Sequence, residues 1–365
     1  MRVGLVISSL SLGGAEKVMS IMANYWVMRD WDVSLITFSG AHSSSYALSP
    51  KVREIDLDLL RVSGNAALGV WNNGKRILAL RGAIRKTKAE IAISFMDQTN
   101  VLTLAATRGL GVPLVVSERV DPRQHPIGVG WKILRSILYR TADALVVPTN
   151  GLVEWGKSRW PALRLAVIPN PVLDEEEGAP FSLPPGSWCA AMGRLVKQKG
   201  FDLLVRAFAL ASEDHPEWRL LILGEGEERA SLEVLARELG VGDRLWMPGR
   251  VQQPAAFLKR SKIFALSSRY EGFPNALVEA MACGLPVISF DCPTGPGEII
   301  RDKEDGILIP AGHVDGMASA LKRLMSDENE RKRLGEKAKD VKERFGVGRV
   351  MGLWEDLLMQ VLRRD

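Results

Sequence analysis

Residues 267–283 read SSRYEGFPNALVEAMAC, and this stretch predicts a turn followed by a helix. The apolar run Ile263–Leu266 before it is typical of a strand, and ALVEAMA at 276–282 is typical of a helix. Glu271 is then placed in the turn and Glu279 about one turn into the helix. Unpaired amides at a helix start suit a phosphate group, and an ionised carboxylate accepts hydrogen bonds from hydroxyls. Phosphate combined with hydroxyls on two sides describes a nucleotide-sugar, so the stretch suits such a site. Taken alone, however, the pattern favours the alternative that Glu271 is a loop charge and Glu279 lies on a solvated helix face, and the rest of the chain must decide between them.

The length and composition indicate a cytosolic protein of two domains. The 365 residues exceed one ordinary core, and 46% apolar with 25% charged residues is typical of globular proteins. The three cysteines lie in or beside apolar runs, which predicts reduced core residues. No window holds about 18 uninterrupted apolar residues, so no transmembrane helix is expected. The run Val3–Leu12 has one preceding arginine and a following amphipathic pattern, which favours a first strand over a signal peptide.

Charge is unevenly distributed along the chain. Residues 1–172 contain 21 Lys and Arg against 12 Asp and Glu, a balance of +9, whereas residues 173–365 contain 27 against 31, a balance of −4. A basic first half suits an anionic partner such as lipid or nucleic acid. Two helical patterns in it are basic and amphipathic, KRILALRGAIRKTK at 75–88 and WKILRSILYR at 131–140. Each fits either a core-packed helix with a solvated basic face or a helix on an anionic membrane surface.

Apolar runs alternate with helical patterns in both halves. In the first half, strands are predicted at Val3–Ser8, Val33–Phe38, Val52–Leu57, Ile91–Phe95, Leu114–Ser117, Ala144–Val147 and Leu165–Ile168, and helices near 15–29, 73–88, 99–108, 129–141 and 150–158. In the second half, strands are predicted at Trp188–Met192, Arg219–Leu223, Leu245–Met247, Ile263–Leu266, Val287–Phe290 and Gly306–Ile309. This alternation predicts α/β domains, each a Rossmann-like parallel sheet covered by helices on both faces, with sites at the carboxyl ends of the strands.

A proline-rich, acidic run at Asn170–Pro185 separates the halves and is typical of an interdomain linker. We therefore place an N-terminal domain at residues 1–172 and a C-terminal domain at residues 173–346. The last segment, residues 347–365, contains an amphipathic helix with a broad apolar face. We expect this helix to pack back on the N-terminal domain. Because the N-terminal and C-terminal domains share one architecture, we expect a cleft between the two domains.

Glycine-containing turns follow the first strand of each half. Gly13 and Gly14 precede a helix, where they allow either close approach of backbone to a ligand or a plain turn. Gly193 and Arg194 begin the corresponding turn of the second half, and Lys199 lies near its end. A guanidinium and an ammonium flanking such a loop can neutralise a diphosphate without a metal ion.

Three further motifs argue against a dinucleotide, metal or hydrolase site, and one suits a base. Gly224 and Gly226 resemble part of a dinucleotide turn, but Arg229 occupies the third glycine position, which argues against NAD binding. The four histidines have no metal spacing, and neither a hydrolase Gly-x-Ser-x-Gly motif nor a P-loop occurs. The backbone of Gly249–Val251, at the end of another strand, suits pairing with a base edge.

Taken in order, these motifs resemble the GT-B glycosyltransferases of family GT4 over nearly the whole chain. The resemblance rests on Gly13-Gly-Ala-Glu, Gly193-Arg-Leu with Lys199-Gly, Gly224-Glu-Gly, Gly249-Arg-Val, and Glu271-Gly-Phe-Pro-Asn through Glu279-Ala-Met-Ala-Cys-Gly-Leu-Pro-Val-Ile. Three further runs, Ile93–Asp97, Ser117–Pro122 and Asp291–Gly297, are similar to members that build exopolysaccharide, O-antigen or lipid-linked oligosaccharide.

The resemblance implies two Rossmann-like domains facing each other across a cleft, and a retaining transferase. Its donor would be a nucleoside-diphosphate sugar, with UDP favoured, and its acceptor lipid-linked or polysaccharide. The positions matching catalytic residues are Arg194, Lys199 and Glu271: the cations would hold the diphosphate and Glu271 the sugar hydroxyls. Glu279 would hold the ribose. The positions matching other substrate contacts are Gly13, Gly14, Gly193, Val251, Gly272, Phe273, Pro274, Asn275, Ala276 and Leu277, and Gly14 would close on the diphosphate from the other domain.

One position departs from the family pattern. Many relatives carry a histidine after the fifth strand, whereas this chain reads Ser117-Glu118-Arg119. We include Glu118 and Arg119 among the predicted substrate contacts, without deciding between donor and acceptor. We expect no metal, no cofactor and no nucleic acid partner. The enzyme is expected in the cytoplasm, with the inner membrane face as a further location. The alternatives are a nucleotide-sugar-binding protein without transfer and a UDP-sugar epimerase of the same fold.

Overall fold

The computed structural model describes residues 1–11, 13–39, 46–60, 65–173 and 183–363. The chain forms two compact units: the first combines Met1–Pro171 with Val347–Asp365, and the second is Val172–Gly346. Each unit contains one sheet whose strands are all parallel, which confirms the predicted fold class of two parallel-sheet α/β domains. Residues 174–182, which make up most of the predicted linker, and His42 lie outside the described residues.

The first unit is built on a seven-stranded sheet in the order β3-β2-β1-β4-β5-β6-β7. Its strands are β1 Arg2–Val6, β2 Asp32–Thr37, β3 Arg53–Asp56, β4 Ile91–Phe95, β5 Leu114–Ser117, β6 Ala144–Val147 and β7 Leu165–Val167. Its helices are α1 Gly14–Val27, α2 Ala66–Thr87, α3 Asp97–Thr107, α4 Val129–Leu138 and α5 Val153–Arg159. Successive residues of a strand point their side chains to opposite faces of the sheet. Thus Leu5 packs in the cluster containing α1, while Val6 packs in the cluster containing α2 and α3.

The second unit is built on a six-stranded sheet in the order β10-β9-β8-β11-β12-β13. Its strands are β8 Ser187–Met192, β9 Trp218–Leu223, β10 Leu245–Gly249, β11 Ile263–Leu266, β12 Val287–Asp291 and β13 Ile307–Pro310. Its helices are α6 Phe201–Ala211, α7 Arg229–Glu238, α8 Pro254–Leu258, α9 Asn275–Ala282, α10 Pro296–Ile299, α11 Val314–Ser326, α12 Glu328–Ala338 and α13 Val341–Phe345. The core residues of α6 and α9 belong to clusters on opposite faces of the sheet.

The chain returns to the first unit in its last described helix, α14, Val347–Leu362. Its buried residues are Val350, Met351, Trp354, Leu357, Leu358 and Val361. They join the cluster formed by α1 and one face of the first sheet. The first unit is therefore assembled from two separate parts of the sequence.

Helix α2 and strand β10 both extend beyond their predicted bounds. Helix α2 begins at Ala66 rather than near residue 73, and the side chain of Asn65 accepts a hydrogen bond from the amide of Leu68. Gly69 and Gly74 lower the helix propensity of its first turns, which explains the missed start. Strand β10 runs on through Pro248, a residue that an edge strand tolerates because its outer side needs no ladder donor.

Candidate functional site

The candidate site lies at the carboxyl end of the second sheet, where the strand order reverses. Strand β8 lies between β9 and β11, and the loops after β8 and β11 lead to α6 and α9 on opposite faces. Such a switch point leaves a crevice outside the strand ends, where parallel sheets bind ligands. The loop after β8 contains Arg194 and Lys199, and the loop after β11 contains Glu271. The fold therefore brings together the three residues predicted as catalytic.

An ion pair joins the two loops across this switch point. The Lys199 Nζ lies 2.6 Å from Oε1 of Glu271, whose side chain is almost fully buried. The Ser268 hydroxyl donates to the same oxygen at 2.6 Å, and the Thr294 hydroxyl donates to the Glu271 backbone carbonyl. Glu271 is thus held from three directions, which fixes an acceptor oxygen and a cation side by side.

Backbone contacts also hold the two loops together. The Arg269 amide donates to the Gln198 carbonyl at 2.8 Å, and the Gln198 side-chain amide donates to the Tyr270 carbonyl at 3.0 Å. Gly200 has a φ of +63°, and a Cβ there would lie 2.1 Å from the Ser267 carbonyl oxygen. Only glycine permits this approach. The position of Lys199 is therefore set by its loop and not by its side chain alone.

Gly193, Gly224 and Gly226 allow the loops after β8 and β9 to pack closely around Arg194. A Cβ on Gly193 would lie 3.1 Å from Cε of Lys199, so the lysine chain crosses the backbone there. A Cβ on Gly224 would lie 1.9 Å from the Gly193 carbonyl oxygen, and one on Gly226 would lie 2.3 Å from that of Leu195. The Gly-Glu-Gly turn after β9 therefore supports the loop after β8. Arg194 itself is exposed, and within the described ranges its guanidinium has no hydrogen-bond or ion-pair partner.

Helix α9 begins beside this ion pair at Asn275, one residue before the predicted helical run 276–282. Pro274 precedes it and provides no side-chain cap. The amides of Asn275 and Leu277 donate to the carbonyls of Phe273 and Pro274. Among the described residues, the amide of Ala276 has no such partner, so it is the donor in the first turn that a ligand can use.

The predicted contacts in this segment divide into core and surface residues. The side chains of Phe273 and Leu277 are buried, and Phe273 packs edge-on against Phe345 at 5.7 Å. Phe273 and Leu277 can therefore contact a ligand only through their backbone atoms. Gly272 and Pro274 are also buried, whereas Asn275, Ala276 and Glu279 are partly exposed. Val251 is half-buried and packs against the cluster containing α9.

In the first unit, Gly13 and Gly14 also lie beside a switch point, because β1 lies between β2 and β4. Gly13 precedes α1 and provides no side-chain cap, and Gly14 is the first helical residue. The Tyr46 hydroxyl accepts from the Gly13 amide and donates to its carbonyl. Tyr46 was not predicted to take part. The predicted contact of Gly14 with a diphosphate stays a prediction.

Glu118 lies in the interior of the first unit and not on a ligand-facing surface, contrary to its predicted role. It is fully buried, and its Oε1 accepts from the Tyr139 hydroxyl at 2.7 Å. Arg135 Nη1 lies 3.6 Å from the same oxygen. Burial raises the pKa of Glu118 to about 7, and the positive charge of Arg135 partly offsets this rise. The side chain therefore joins β5 to α4 and cannot contact a substrate directly without leaving this network.

Arg119 is likewise engaged within the first unit. Its guanidinium lies 3.9 Å from the ring centre of Phe95 and 5.4 Å from that of Trp354, and Nη1 donates to Oδ1 of Asn170 at 2.7 Å. Burial lowers the pKa of Arg119 to about 9, so the group is charged at neutral pH. The aromatic rings cover the guanidinium and fasten it to α14. Within the described ranges, its Nε and Nη2 have no hydrogen-bond partner, so the predicted substrate contact stays a prediction.

Replacing Glu118 with glutamine is expected to remove a pH-dependent loss of stability. The unfolded carboxyl releases its proton near pH 4.5, whereas the buried one retains it to about 7. The folded state binds more protons in this window, so the free energy of unfolding falls as pH rises from about 5 to 7.5, by about 3 kcal/mol. Urea unfolding across this range measures the loss in wild type, in Glu118→Gln and in the exposed control Glu154→Gln. Parallel curves for wild type and Glu118→Gln would contradict the assignment.

Several site residues were missed in the sequence although their segments were noticed. Ser268 and Thr294 hold Glu271. Ser268 lies in the opening stretch 267–283, and Thr294 lies in the run Asp291–Gly297. Asp97 is buried at the end of β4, and its Oδ2 lies 3.6 Å from Nε2 of His125. Hydroxyls have no spacing rule that would single them out, because their partners lie in loops distant in sequence.

Comparisons with known proteins cover both units. The family described as Glycosyl transferase 4-like domain matches residues 13–171, and Glycosyl transferases group 1 matches residues 188–341. A similar protein is the GalNAc-alpha-(1->4)-GalNAc-alpha-(1->3)-diNAcBac-PP-undecaprenol alpha-1,4-N-acetyl-D-galactosaminyltransferase of Campylobacter jejuni. It is 28% identical over 364 residues, which cover 99% of each chain.

Solved structures share the fold over the full length. Sucrose-phosphate synthase from Thermosynechococcus elongatus has a TM-score of 0.84 at 19% identity, covering 100% of this chain and 99% of that one. HepE from Anabaena, solved in complex with UDP, has a TM-score of 0.76 at 17% identity, covering 99% of this chain and 100% of that one. At these identities the likeness concerns the fold alone.

Proposed function

Because the chain belongs to the family 4 glycosyltransferases of GT-B fold, we propose that it is a retaining hexosyltransferase. Its donor is a nucleoside-diphosphate sugar, with a UDP-sugar favoured, and it moves a hexose or N-acetylhexosamine. Its acceptor is lipid-linked or polysaccharide, in the biosynthesis of a cell-surface glycan. The name of the Campylobacter jejuni relative includes a lipid-linked glycan, which supports this class of acceptor.

The observation that carries the proposal is the ion pair of Lys199 and Glu271 at the switch point of the second unit. Lys199, together with the exposed Arg194, provides positive charge where a diphosphate would lie beside the start of α9. Glu271 and Glu279 provide acceptor oxygens for sugar and ribose hydroxyls. The arrangement suits recognition of a ligand that combines phosphate with hydroxyls on two sides.

The proposed chemistry depends chiefly on the cations. Breaking the bond between the sugar and the diphosphate leaves negative charge on the departing phosphate, and preorganised cations stabilise that charge. In front-face attack, the acceptor hydroxyl forms the new glycosidic bond on the face that the phosphate leaves, and its proton passes to a phosphate oxygen. Neither glutamate acts as a nucleophile in this proposal. We propose no metal requirement, so turnover should persist in EDTA.

We further propose that the enzyme works at the cytoplasmic face of the membrane as a peripheral protein. A lipid-linked acceptor has its reacting sugar close to that surface. Within the described ranges, none of the helices has the length and apolarity needed to cross a bilayer.

A donor screen tests the proposal. The purified protein is incubated with UDP- and GDP-sugars, with and without a membrane-lipid extract, and free UDP or GDP is measured. Release that depends on the extract, together with a glycosylated lipid product, is expected. Nucleotide binding without turnover would favour a binding protein. Conversion of a UDP-sugar to its epimer without an acceptor would favour an epimerase, and either result would overturn the transferase assignment.

A further inference from the structure

The outer surface of helices α2 and α4 in the first unit is unusually apolar. Eight of the sixteen large apolar side chains exposed in the described ranges belong to these two helices. They are Leu68, Val70, Trp71 and Leu78 on α2, and Val129, Ile133, Leu134 and Ile137 on α4. Exposed apolar side chains are ordinary when scattered, but their concentration on two helices indicates an interaction surface.

On α4 the exposed apolar residues form a row along one side. Val129, Ile133 and Ile137 are spaced by four residues, so they share one side of the helix, and they are 73%, 55% and 58% exposed. Lys132 and Arg140 are exposed and lie on the adjacent row. The row is therefore apolar along its length and flanked by positive charge.

The opposite side of α4 is fixed to the core. Arg135 is buried 5.2 Å from the ring centre of Trp155 and 3.6 Å from Glu118. Tyr139, directly after the helix, is fully buried. The helix is thus held with its apolar row outward, which argues against a core-packed helix whose outer face is merely solvated and basic.

Helix α2 has a similar outer side. Trp71, Lys75 and Leu78 are spaced as neighbours along one side, and Nζ of Lys75 lies 5.3 Å from the ring centre of Trp71. Both α2 and α4 contact α3, so they belong to the same helical layer of the first unit. An exposed tryptophan beside a lysine is typical of side chains that occupy the interface between water and lipid.

The charge of this surface has one sign. No Asp or Glu occurs between residues 66 and 89, where α2 lies, or between residues 122 and 142, where α4 lies. On α2, Lys75, Arg85 and Lys86 are exposed, whereas Arg76 and Arg81 are half-buried and donate to backbone carbonyls. An apolar row whose flanking charged residues are Lys132 and Arg140 complements anionic headgroups above acyl chains.

We propose that the outer face of α4, extended by Trp71 and Lys75 of α2, is the surface that binds an anionic lipid bilayer. The apolar row enters the headgroup region while the flanking lysine and arginine residues pair with lipid phosphates. This inference rests on the membrane-facing role in the proposed function and identifies the surface that performs it. Vesicle binding and nucleotide binding are measured separately, so either can fail without the other.

Flotation with phosphatidylcholine vesicles, with and without phosphatidylglycerol, tests the surface at low and physiological salt. The full-length protein is expected to float with the anionic vesicles and much less with the neutral ones. Two exposed apolar residues are removed in I133S/I137S, which should weaken binding by at least about tenfold. Two charges are removed in K132Q/R140Q, which should weaken it by about tenfold and reduce its salt dependence.

The matched control is L210S/V234S, which removes two apolar residues of the second unit that are 47% and 44% exposed. The control should float like wild type. All variants should keep the far-UV circular dichroism spectrum and the urea-unfolding midpoint of wild type, which shows that both units are folded. The proposal is overturned if wild type does not bind anionic vesicles at low salt, or if I133S/I137S floats as well as the control. Self-association that depends on protein concentration and is lost in I133S/I137S, without vesicle binding, would also overturn the proposal. The surface would then bind a second copy of the protein and not a bilayer.

Discussion

Replacement of Lys199 with alanine is expected to lower donor turnover by about 100- to 1,000-fold, if the proposed function is correct. Removing one preorganised group that stabilises charge in a transition state typically has this effect. Lys199 is the cation that contacts Glu271, and its loop fixes its position beside α9. Steady-state release of UDP from the donor identified in the screen measures the change.

The matched control is Lys197→Ala in the same short turn, Lys197–Lys199. The Lys197 side chain is exposed, and its backbone carbonyl, which accepts from Arg269, is kept in the variant. Turnover of Lys197→Ala should stay close to that of wild type. Equal losses in both variants would show that the loop tolerates no change, and the assignment to Lys199 would fail.

A structural role of the ion pair is separated from a functional one by K199M/E271Q. Lys199→Met alone leaves the carboxylate of Glu271 buried without its cation, which should lower the free energy of unfolding by a few kcal/mol. The added Glu271→Gln removes that buried charge, so stability should return while turnover stays low. If turnover returned together with stability, the pair would be structural only.

Replacement of Trp354 with alanine is expected to destabilise the first unit by about 3–5 kcal/mol, the usual cost of truncating a buried tryptophan. Trp354 is fully buried, 6.0 Å from the ring of Phe95, and it covers the guanidinium of Arg119. Loss of the indole ring leaves a cavity, and it removes one of the two aromatic rings that cover the buried guanidinium of Arg119.

Denaturant unfolding followed by tryptophan fluorescence, with and without UDP, measures this effect. The control is Leu353→Ala, the preceding residue of α14, which is 40% exposed. Its effect should be small, because little buried surface is lost. Retained UDP binding by Trp354→Ala would show that the second unit is intact. Equal stability of the two variants would refute the role given to Trp354.

The fold was predictable from sequence because its signals are local. Buried parallel strands are continuous apolar runs, and Ile91–Phe95, Leu114–Ser117 and Ile263–Leu266 were predicted with the bounds that the structure has. Errors occurred where a cap extends a helix beyond its regular pattern, as at the glycine-containing start of α2, which the Asn65 side chain caps. The edge position of β10, which allows Pro248 within a strand, is a property of the sheet and not of the local sequence.

The site was predictable only in part, because a residue's type does not reveal which way its side chain faces. Lys199 and Glu271 are 72 residues apart, and their pairing follows from the strand order. Glu118 and Arg119 follow a strand as ligand-binding residues do, yet both are buried. Their partners Tyr139, Asn170 and Trp354 lie far along the chain, where no local pattern indicates them.

The return of the chain to the first unit in α14 affects how the protein is made. During synthesis, all of residues 172–346 emerge from the ribosome before α14 does. The second unit is continuous and can fold in order, whereas the first waits with the apolar surface around Phe95 and Trp26 uncovered. For the time needed to translate about 180 residues, the first unit therefore lacks part of its core, a condition that favours aggregation or chaperone binding over completed folding.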